Sequence, residues 1–183
     1  MIALRFDGIE FMVVDDDRLM RELVAGMLVS FGAPSVRQAS DGGEALVDIR
    51  RKCPDVLLTD WNMGSLDGLE LARLIRRDQD SPDPFLPIIM MSAFAERHRV
   101  MAARNAGVNE FLVKPVSGRA LHGRVAAVVN RPRPYVRTST FFGPDRRYRA
   151  RPWSGEDRRR LALAPEAHAM MNQIEVNDLF NPA

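Results

Sequence analysis

The sequence contains one cysteine, two lysines and no long hydrophobic run, and these scarcities narrow the kinds of protein it can be. A single thiol, Cys53, excludes an internal disulfide framework, and its place before Pro54 at a predicted helix end favours a structural role over a reactive one. No apolar stretch reaches the roughly 18 residues of a membrane helix, and no basic region leads into an apolar one near Met1. We therefore expect no membrane span, no secretory signal and a cytoplasmic location.

The composition is that of a globular protein with a hydrophobic core, since 46% of the 183 residues are hydrophobic and 27% are charged. The charge is unevenly spread: residues 1–130 carry two more acidic than basic side chains, and residues 131–183 carry four more basic than acidic ones. Lys52 and Lys114 are the only lysines among 26 basic residues. Where arginine is otherwise used so consistently, a lysine at position 114 suggests a specific role. No glycine-rich phosphate loop or dinucleotide fingerprint is present, which disfavours a nucleotide-binding enzyme.

Five short apolar runs alternate with five helical patterns over residues 1–130. This alternation predicts an α/β domain with a doubly wound, five-stranded parallel sheet and right-handed crossovers. Residues 131–183 differ, because proline, glycine and arginine dominate there without strand or helix periodicity. We expect this extension to be largely irregular, either disordered or docked on the periphery, with a short amphipathic helix at 165–174.

The run Val56–Leu58 reads as a buried central strand that delivers Asp60 at its carboxyl end. Ligands bind at that edge of an open parallel sheet, although an aspartate there can also serve as a helix or turn cap. Other predicted strands end in further polar side chains, and neighbouring strand ends lie about 5 Å apart, so these groups can converge on one cleft. The polar residues at the strand ends are Asp15, Asp16, Asp60, Ser92 and Lys114.

Three crowded carboxylates repel each other, and a divalent cation such as Mg²⁺ with oxygen ligands relieves that repulsion. A cation beside a nucleophilic carboxylate, with a lysine and a hydroxyl close by, is suited to phosphoryl transfer. The positive charges neutralise the transferred group and the hydroxyl donates to one of its oxygens.

These residues, in this order and at these strand ends, resemble the receiver domain of two-component response regulators over about residues 9–130. The residues that carry the resemblance are Asp15-Asp16, Asp60, Ser92, Phe111 and Lys114-Pro115. The resemblance implies a flavodoxin-like fold in which Asp60 is the phosphoacceptor. It also implies a Mg²⁺ site, which Mn²⁺ can occupy instead, formed by Asp15, Asp16, Asp60 and the backbone carbonyl of Asn62.

The resemblance assigns the remaining roles in the same way. Lys114 and Ser92 would stabilise the phosphoryl group, and a cis peptide bond would precede Pro115. Ser92 and Phe111 would form the switch, in which the hydroxyl moves inward and the aromatic ring rotates into the vacated space. Asn62 and Phe94 fall where receivers tune the lifetime of the phosphoryl group.

The function implied is a bacterial phosphorylation-dependent signalling switch and not a turnover enzyme. A histidine kinase or a histidine phosphotransfer protein would supply the phosphoryl group. The output would be contact with a downstream protein through the face of the fourth helix, fifth strand and fifth helix, and a phosphorylation-linked homodimer is compatible with it.

One alternative is a phosphatase of the haloacid dehalogenase type. In that interpretation Asp15 is the nucleophile and Asp17 the acid/base, with Ser92 and Lys114 assisting. It leaves Asp60 unexplained, and the threonine expected after the second acid and the acidic pair expected after Lys114 are missing.

The extension leaves several hypotheses open. Its arginines, interleaved with aromatic residues, can bind single-stranded nucleic acid or an anionic surface. It can also dock on a protein partner, or fold back on the receiver and be released on phosphorylation, or remain solvated chain. It is similar to the Gly-Pro-Asp-Arg-Arg extensions that follow some bacterial single-domain receivers. The aromatic residues concerned are Tyr135, Phe141, Phe142, Tyr148 and Trp153.

Overall fold

The structure, a computed structural model, describes residues 5–145 and 170–180. Five strands and five helices alternate first, and a short hairpin and a final helix follow. The strands are β1 Glu10–Val14, β2 Ser35–Ala39, β3 Val56–Asp60, β4 Ile88–Ser92, β5 Glu110–Val113, β6 Tyr135–Arg137 and β7 Phe142–Pro144. The helices are α1 Arg18–Ser30, α2 Gly42–Arg51, α3 Gly68–Arg77, α4 Arg97–Asn105, α5 Gly118–Asn130 and α6 Gln173–Phe180.

The first five strands form one parallel sheet in the order β2-β1-β3-β4-β5, which confirms the predicted doubly wound fold. Every residue of β3 and β4 is buried. Both faces of these central strands are covered by helices, and this is why their sequences are continuously apolar instead of alternating. The sheet ends at β5, which has a sheet partner on one side only.

Successive strand residues point to opposite faces of the sheet, so two separate cores form. Leu57 and Phe111 belong to the core under α2, α3 and α4, whereas Leu58 and Leu112 belong to the core under α1 and α5. Two residues of α6, Val176 and Phe180, also pack into the first core. That core therefore extends past the edge of the sheet.

Aspartate side chains begin three of the helices by accepting backbone hydrogen bonds from the first turn. Asp17 accepts from Leu19 N at 2.8 Å, Asp41 from Gly43 N at 2.7 Å and Asp67 from Glu70 N at 2.7 Å. These bonds satisfy N–H groups that would otherwise lack partners at a helix start. Gly32, at φ +100°, ends the turn after α1, a conformation that glycine adopts without steric cost.

Residues 131–145 are more ordered than their composition indicates, because β6 and β7 form an antiparallel hairpin. The ring of Tyr135 meets Phe85 at 5.2 Å between centroids, and Phe142 meets Phe85 at 5.3 Å. The backbones of Gly107 and Gly143 lie so close that a Cβ on Gly143 would come within 2.7 Å of Gly107 Cα. The hairpin is thus packed on the α/β domain, and its three-residue strands are too short to show a period in the sequence.

A buried arginine fastens this hairpin to the amino end of the sheet. Arg76, 2% exposed, donates to the carbonyls of Gly107 and Pro84 and to the Asn109 side chain at 2.9–3.0 Å. Its guanidinium also lies 5.2 Å from the centre of the Tyr135 ring. Burial lowers the pKa of Arg76, because the charge is taken out of water and is met mainly by neutral acceptors.

The helix predicted at 165–174 differs from the one observed. Residues 165–169 lie outside the described residues, and the described helix is Gln173–Phe180, so it begins where the prediction ends. The prediction took Met170, Met171 and Ile174 as the apolar face of the helix, whereas the residues that α6 buries are Val176 and Phe180. Among the described helices, none has the length and apolar character that crossing a bilayer requires.

The single thiol is predicted to react slowly. Cys53 is partly buried against the core under α2 and α3, and burial, with the charge of Asp83 adding to it, raises the pKa of Cys53 to about 11. A raised thiol pKa leaves less thiolate, which is the reactive form. At pH 8 we expect alkylation by iodoacetamide to be roughly 100-fold slower in the folded chain than in the chain unfolded in urea. Equal rates, measured by mass spectrometry, would contradict this assignment.

Candidate acidic site at the carboxyl edge of the sheet

Side chains from the ends of three strands meet at the carboxyl edge of the sheet. Lys114, which follows β5, places Nζ 2.8 Å from Asp15 Oδ2 after β1 and 2.5 Å from Asp60 Oδ1 at the end of β3. Asp16 joins them, since carboxylate oxygens of Asp15, Asp16 and Asp60 all lie within 4.8 Å of one another. The structure thus brings together the four charged side chains that the sequence placed at strand ends.

Asp60 is a buried carboxylate, 6% exposed. Its Oδ2 accepts a hydrogen bond from Asn62 N at 2.7 Å, while Oδ1 faces Lys114. The pKa of Asp60 is raised, chiefly because burial disfavours the charged form; the charge of Asp15 adds to this effect, and the hydrogen bond and charge of Lys114 oppose it. Asp60 is therefore a more basic oxygen nucleophile than an ordinary surface aspartate.

The pKa of Lys114 is raised as well, which for an ammonium means that the charged form is favoured. Burial alone would lower it, but the hydrogen bonds and charges of Asp15 and Asp60 outweigh burial. Lys114 thus keeps its charge because two carboxylates contact it, whereas at Asp60 burial and the charge of Asp15 both oppose the charged form. The peptide bond between Lys114 and Pro115 is cis, as the resemblance to receiver domains implies.

The acidic cluster suits a hard divalent cation. Asp15 and Asp60 are buried while Asp16 is exposed, so the cluster has one side toward solvent. Its donors are all carboxylate oxygens, the ligand type that Mg²⁺ prefers. Three carboxylates against one ammonium leave the pocket negative, and a bound cation would offset that excess.

Arg21 is part of this site and was not among the residues predicted from the sequence. Its Nη1 donates to the carbonyl of Asp15 at 2.5 Å and to that of Asp16 at 3.3 Å. The guanidinium of α1 thereby holds the backbone of the acidic loop. The signal in the sequence was the position of Arg21, one turn into the helix that follows the two aspartates. This signal is weak, because arginine is common on helix surfaces.

The residues predicted to form a switch lie on the neighbouring strands. Ser92 is 1% exposed, and its Oγ accepts a hydrogen bond from Phe94 N at 3.1 Å. Phe111 is fully buried and meets the ring of Trp61, the residue after Asp60, at 6.5 Å in an edge-to-face arrangement. Phe111 therefore contacts the residue that follows Asp60.

Phe94 projects from the loop after β4 and is 45% exposed. The guanidinium of Arg99, from the first turn of α4, lies 5.0 Å from the Phe94 ring and 5.5 Å from the Trp61 ring. Both contacts are within cation–π range. The sequence predicted a role for Phe94 but not this arginine, which ties the loop after β4 to the loop after β3.

The loop after Asp60 closes back on the end of its own strand. Gly68, the first residue of α3, donates its N–H to the carbonyl of Trp61 at 3.0 Å. A Cβ on Gly68 would lie only 1.9 Å from the carbonyl oxygen of Asp60 and 2.9 Å from Thr59 Oγ1. The start of α3 can approach the phosphoacceptor candidate this closely only because residue 68 has no side chain.

The comparisons with known proteins agree with this geometry. The model of the response regulator receiver domain family matches residues 11–126. The chain is 32% identical over 131 residues to the chemotaxis protein CheY-3 of Vibrio cholerae, covering 72% of this chain and 99% of that protein. It is 33% identical over 122 residues to the chemotaxis protein CheY of Pseudomonas aeruginosa, covering 67% and 97%.

A solved receiver domain of a Francisella response regulator has the same fold. It superposes with a TM-score of 0.62 at 28% identity, covering 68% of this chain and 98% of the other. The family match ends at residue 126, so it includes neither the β6–β7 hairpin nor α6.

The contact at Gly68 predicts a stability difference between two matched glycines. Gly68→Ala forces a methyl group against the Asp60 carbonyl and should lower the free energy of unfolding by about 1–3 kcal/mol. Gly64→Ala, in the same loop, meets nothing within 4 Å and should change it by less than about 0.5 kcal/mol. Urea unfolding followed by circular dichroism measures both. Equal midpoints for the two variants would show that α3 does not approach Asp60 this closely.

Proposed function

The chain belongs to the response regulator receiver domain family and is a phosphorylation-dependent signalling switch, and we propose that Asp60 accepts its phosphoryl group. The observation that carries the proposal is a buried carboxylate at the end of β3 with an ammonium 2.5 Å away. Burial keeps the Asp60 oxygens basic, and Lys114 supplies a fixed positive charge where the incoming group is negative.

The chemical step is a displacement at phosphorus. A carboxylate oxygen of Asp60 attacks the phosphorus of a phosphohistidine or of acetyl phosphate, and a new P–O bond forms as an acyl phosphate. The P–N bond of the histidine donor, or the P–O bond of acetyl phosphate, breaks and its electron pair leaves with the donor. The freed imidazole takes a proton from water. Such transfers depend chiefly on positioning and charge stabilisation, which Lys114 and the loop closed at Gly68 support.

A divalent cation is part of this proposal. Asp15, Asp16, Asp60 and the backbone carbonyl of Asn62 would hold Mg²⁺, with Mn²⁺ as a substitute. When bound, the cation would supply positive charge that offsets the phosphoryl oxygens. Arg21 donates to the backbone carbonyls of Asp15 and Asp16 and thereby holds the backbone that carries these two carboxylates.

The change that phosphorylation produces would begin at Ser92 and Phe111. In the sheet, Asp60 of β3 pairs with Met91 of β4, and Ser92 is the next residue of β4. The register of the two strands therefore places Ser92 beside the end of β3. Drawing the Ser92 hydroxyl toward the new phosphoryl group would move the loop after β4 and alter the packing beside Phe111. Phe94 and Asn62, both exposed, would tune the access of hydrolytic water to the phosphoryl group.

The partners belong to the same proposal. The donor would be a histidine kinase or a histidine phosphotransfer protein in the cytoplasm, and the output would be contact with a downstream protein through α4, β5 and α5. A phosphorylation-linked homodimer would use the same region. Transfer of the group onto Asp60 and its slow hydrolysis require no turnover of an external substrate.

Neither of the two rival functions has specific support. The phosphatase alternative needs Asp17 as an acid/base, but the Asp17 carboxylate accepts the backbone N–H of Leu19 as the cap of α1. For nucleic-acid binding, the rings of Tyr135 and Phe142 are packed against Phe85. Tyr148 and Trp153 lie outside the described residues.

Phosphorylation by acetyl phosphate with Mg²⁺ tests the proposal. The wild-type chain should shift on a phosphate-affinity gel, and Asp60→Asn should abolish the shift, because an amide cannot form an acyl phosphate. Asp17→Asn is the matched control, since asparagine also caps helices well, and it should shift like the wild type. Removal of the cation with EDTA should suppress the wild-type shift.

Two outcomes would contradict the proposal. A shift that persists in Asp60→Asn would place the phosphoryl group on another residue. A shift that is lost in Asp17→Asn would favour the phosphatase interpretation, in which Asp17 takes part in the chemistry.

A further inference from the structure

Helix α6 covers one of the two edges of the sheet. Strand β5 is an edge strand, and within residues 5–145 and 170–180 no neighbouring strand pairs with its outward backbone groups. The Gln173 side chain takes that place: its Nε2 donates to the carbonyl of Phe111 at 3.0 Å, and its Oε1 accepts from Val113 N at 2.7 Å. One side-chain amide thus satisfies one backbone carbonyl and one backbone N–H of β5, as a neighbouring strand would.

The remainder of α6 is packed on the aromatic residue of the predicted switch. Phe180 is 1% exposed and stacks on Phe111 at 6.3 Å between ring centroids, and Val176 is fully buried. Arg133 donates to the carbonyl of Phe180 at 2.8 Å and thereby fixes the end of the helix. Phe111 therefore lies between Trp61, next to Asp60, and Phe180 of the extension.

The segment before α6 contacts the β4–α4 loop, which follows the predicted switch residue Ser92. Met171 donates its N–H to the carbonyl of Ala95 at 2.9 Å, and Met170 forms a β-bridge with Glu96. These partners follow Ser92 by three and four residues. The extension thus contacts both parts of the predicted switch, the β4–α4 loop and Phe111.

A helix of eight residues is not stable alone in water, so the helicity of α6 depends on this docking. Asn172 caps it by accepting from Glu175 N at 3.0 Å, and Glu175 accepts from Asn172 N in return at 2.8 Å. Residues 146–169 join it covalently to the hairpin, so docking of α6 is an intramolecular event. A partner that uses this surface must compete with α6.

We propose that α6 is a built-in ligand of the α4–β5 face and that phosphorylation of Asp60 releases it; this rests on the proposed function. Drawing Ser92 toward the phosphoryl group pulls Ala95 and Glu96 away from Met171 and Met170. The backbone edge of β5 and the surface around the Phe111 ring are then open to an amphipathic helix of a partner protein. Because coupling between two equilibria is reciprocal, docked α6 in turn disfavours the phosphorylated state.

Hydrogen exchange of the full chain tests the release directly. After treatment with acetyl phosphate and Mg²⁺, the amides of residues 171–180 should exchange at least about fivefold faster, while those of α1 stay unchanged as an internal reference. Asp60→Asn treated in the same way should show no change. The phosphorylated fraction of each sample is read on a phosphate-affinity gel.

The gel separates the two possible failures. A phosphorylated band with unchanged or slower exchange at 171–180 overturns the release of α6 and leaves the proposed function intact. The absence of a phosphorylated band in the wild type overturns the proposed function, and the release of α6 with it.

A pair of substitutions on α6 tests the reciprocal effect. Val176→Asp charges the buried side of the helix, whereas Ile174→Asp makes the same change at a position that is 71% exposed. Val176→Asp should bind beryllofluoride, a non-covalent phosphoryl analogue, at least about fivefold more tightly with Mg²⁺ than wild type does, and Ile174→Asp should match wild type. Binding is followed by the fluorescence of Trp61 in a Trp153→Phe background.

Gln173→Ala provides a second variant should Val176→Asp unfold, because it removes the two bonds to the β5 edge and one bond to Asn177 Oδ1 within α6, and introduces no charge. It should raise both exchange at 171–180 and beryllofluoride affinity. Raised exchange at wild-type affinity would overturn the proposed coupling.

Discussion

The contact of one ammonium with two buried carboxylates is the interaction on which the site depends. Asp15 and Asp60 stand at the ends of β1 and β3, and Lys114 reaches both from beyond β5, across the end of β4. Removing one partner from a buried charge pair typically costs about 3–5 kcal/mol, because the remaining charge is left without compensation. The three strand ends are therefore held in one arrangement around Lys114, although burial still raises the pKa of Asp60.

From this pocket, contacts lead outward in two directions. One passes through the aromatic rings of Trp61, Phe111 and Phe180, with centroid separations of 6.5 and 6.3 Å. The other follows the loop after Ser92 to Ala95, whose carbonyl holds the backbone of Met171. Both end on the same short helix, so the acidic site and the extension share the β4–α4 loop and the edge strand. Because the stability of α6 depends on docking, its helicity changes when the packing of the β4–α4 loop and of β5 changes.

The arginines of the extension are not all available for partners. Arg133 donates to the carbonyls of Phe180 and Asn109 and so joins the end of α6 to the start of β5. Its pKa is lowered by burial, which the charge of Glu110 opposes. Arg76, from the receiver itself, serves the hairpin in the same way, with backbone carbonyls as acceptors. Guanidinium groups suit this use because they donate in several directions at once. The basic composition of residues 131–145 is thus partly structural.

The receiver fold and the charged pocket could be predicted from the amino-acid sequence, because their signals are local. The apolar run of β3, the capping Asp17 and the scarce Lys114 are each recognisable from a few neighbouring residues, and parallel strands must end at one edge. The position of the extension became visible only in the folded chain. Gln173 takes its role from the backbone of Phe111, 62 residues away, which is accessible because β5 is an edge strand. A side chain that completes a surface formed by distant residues leaves no period or motif of its own in the sequence.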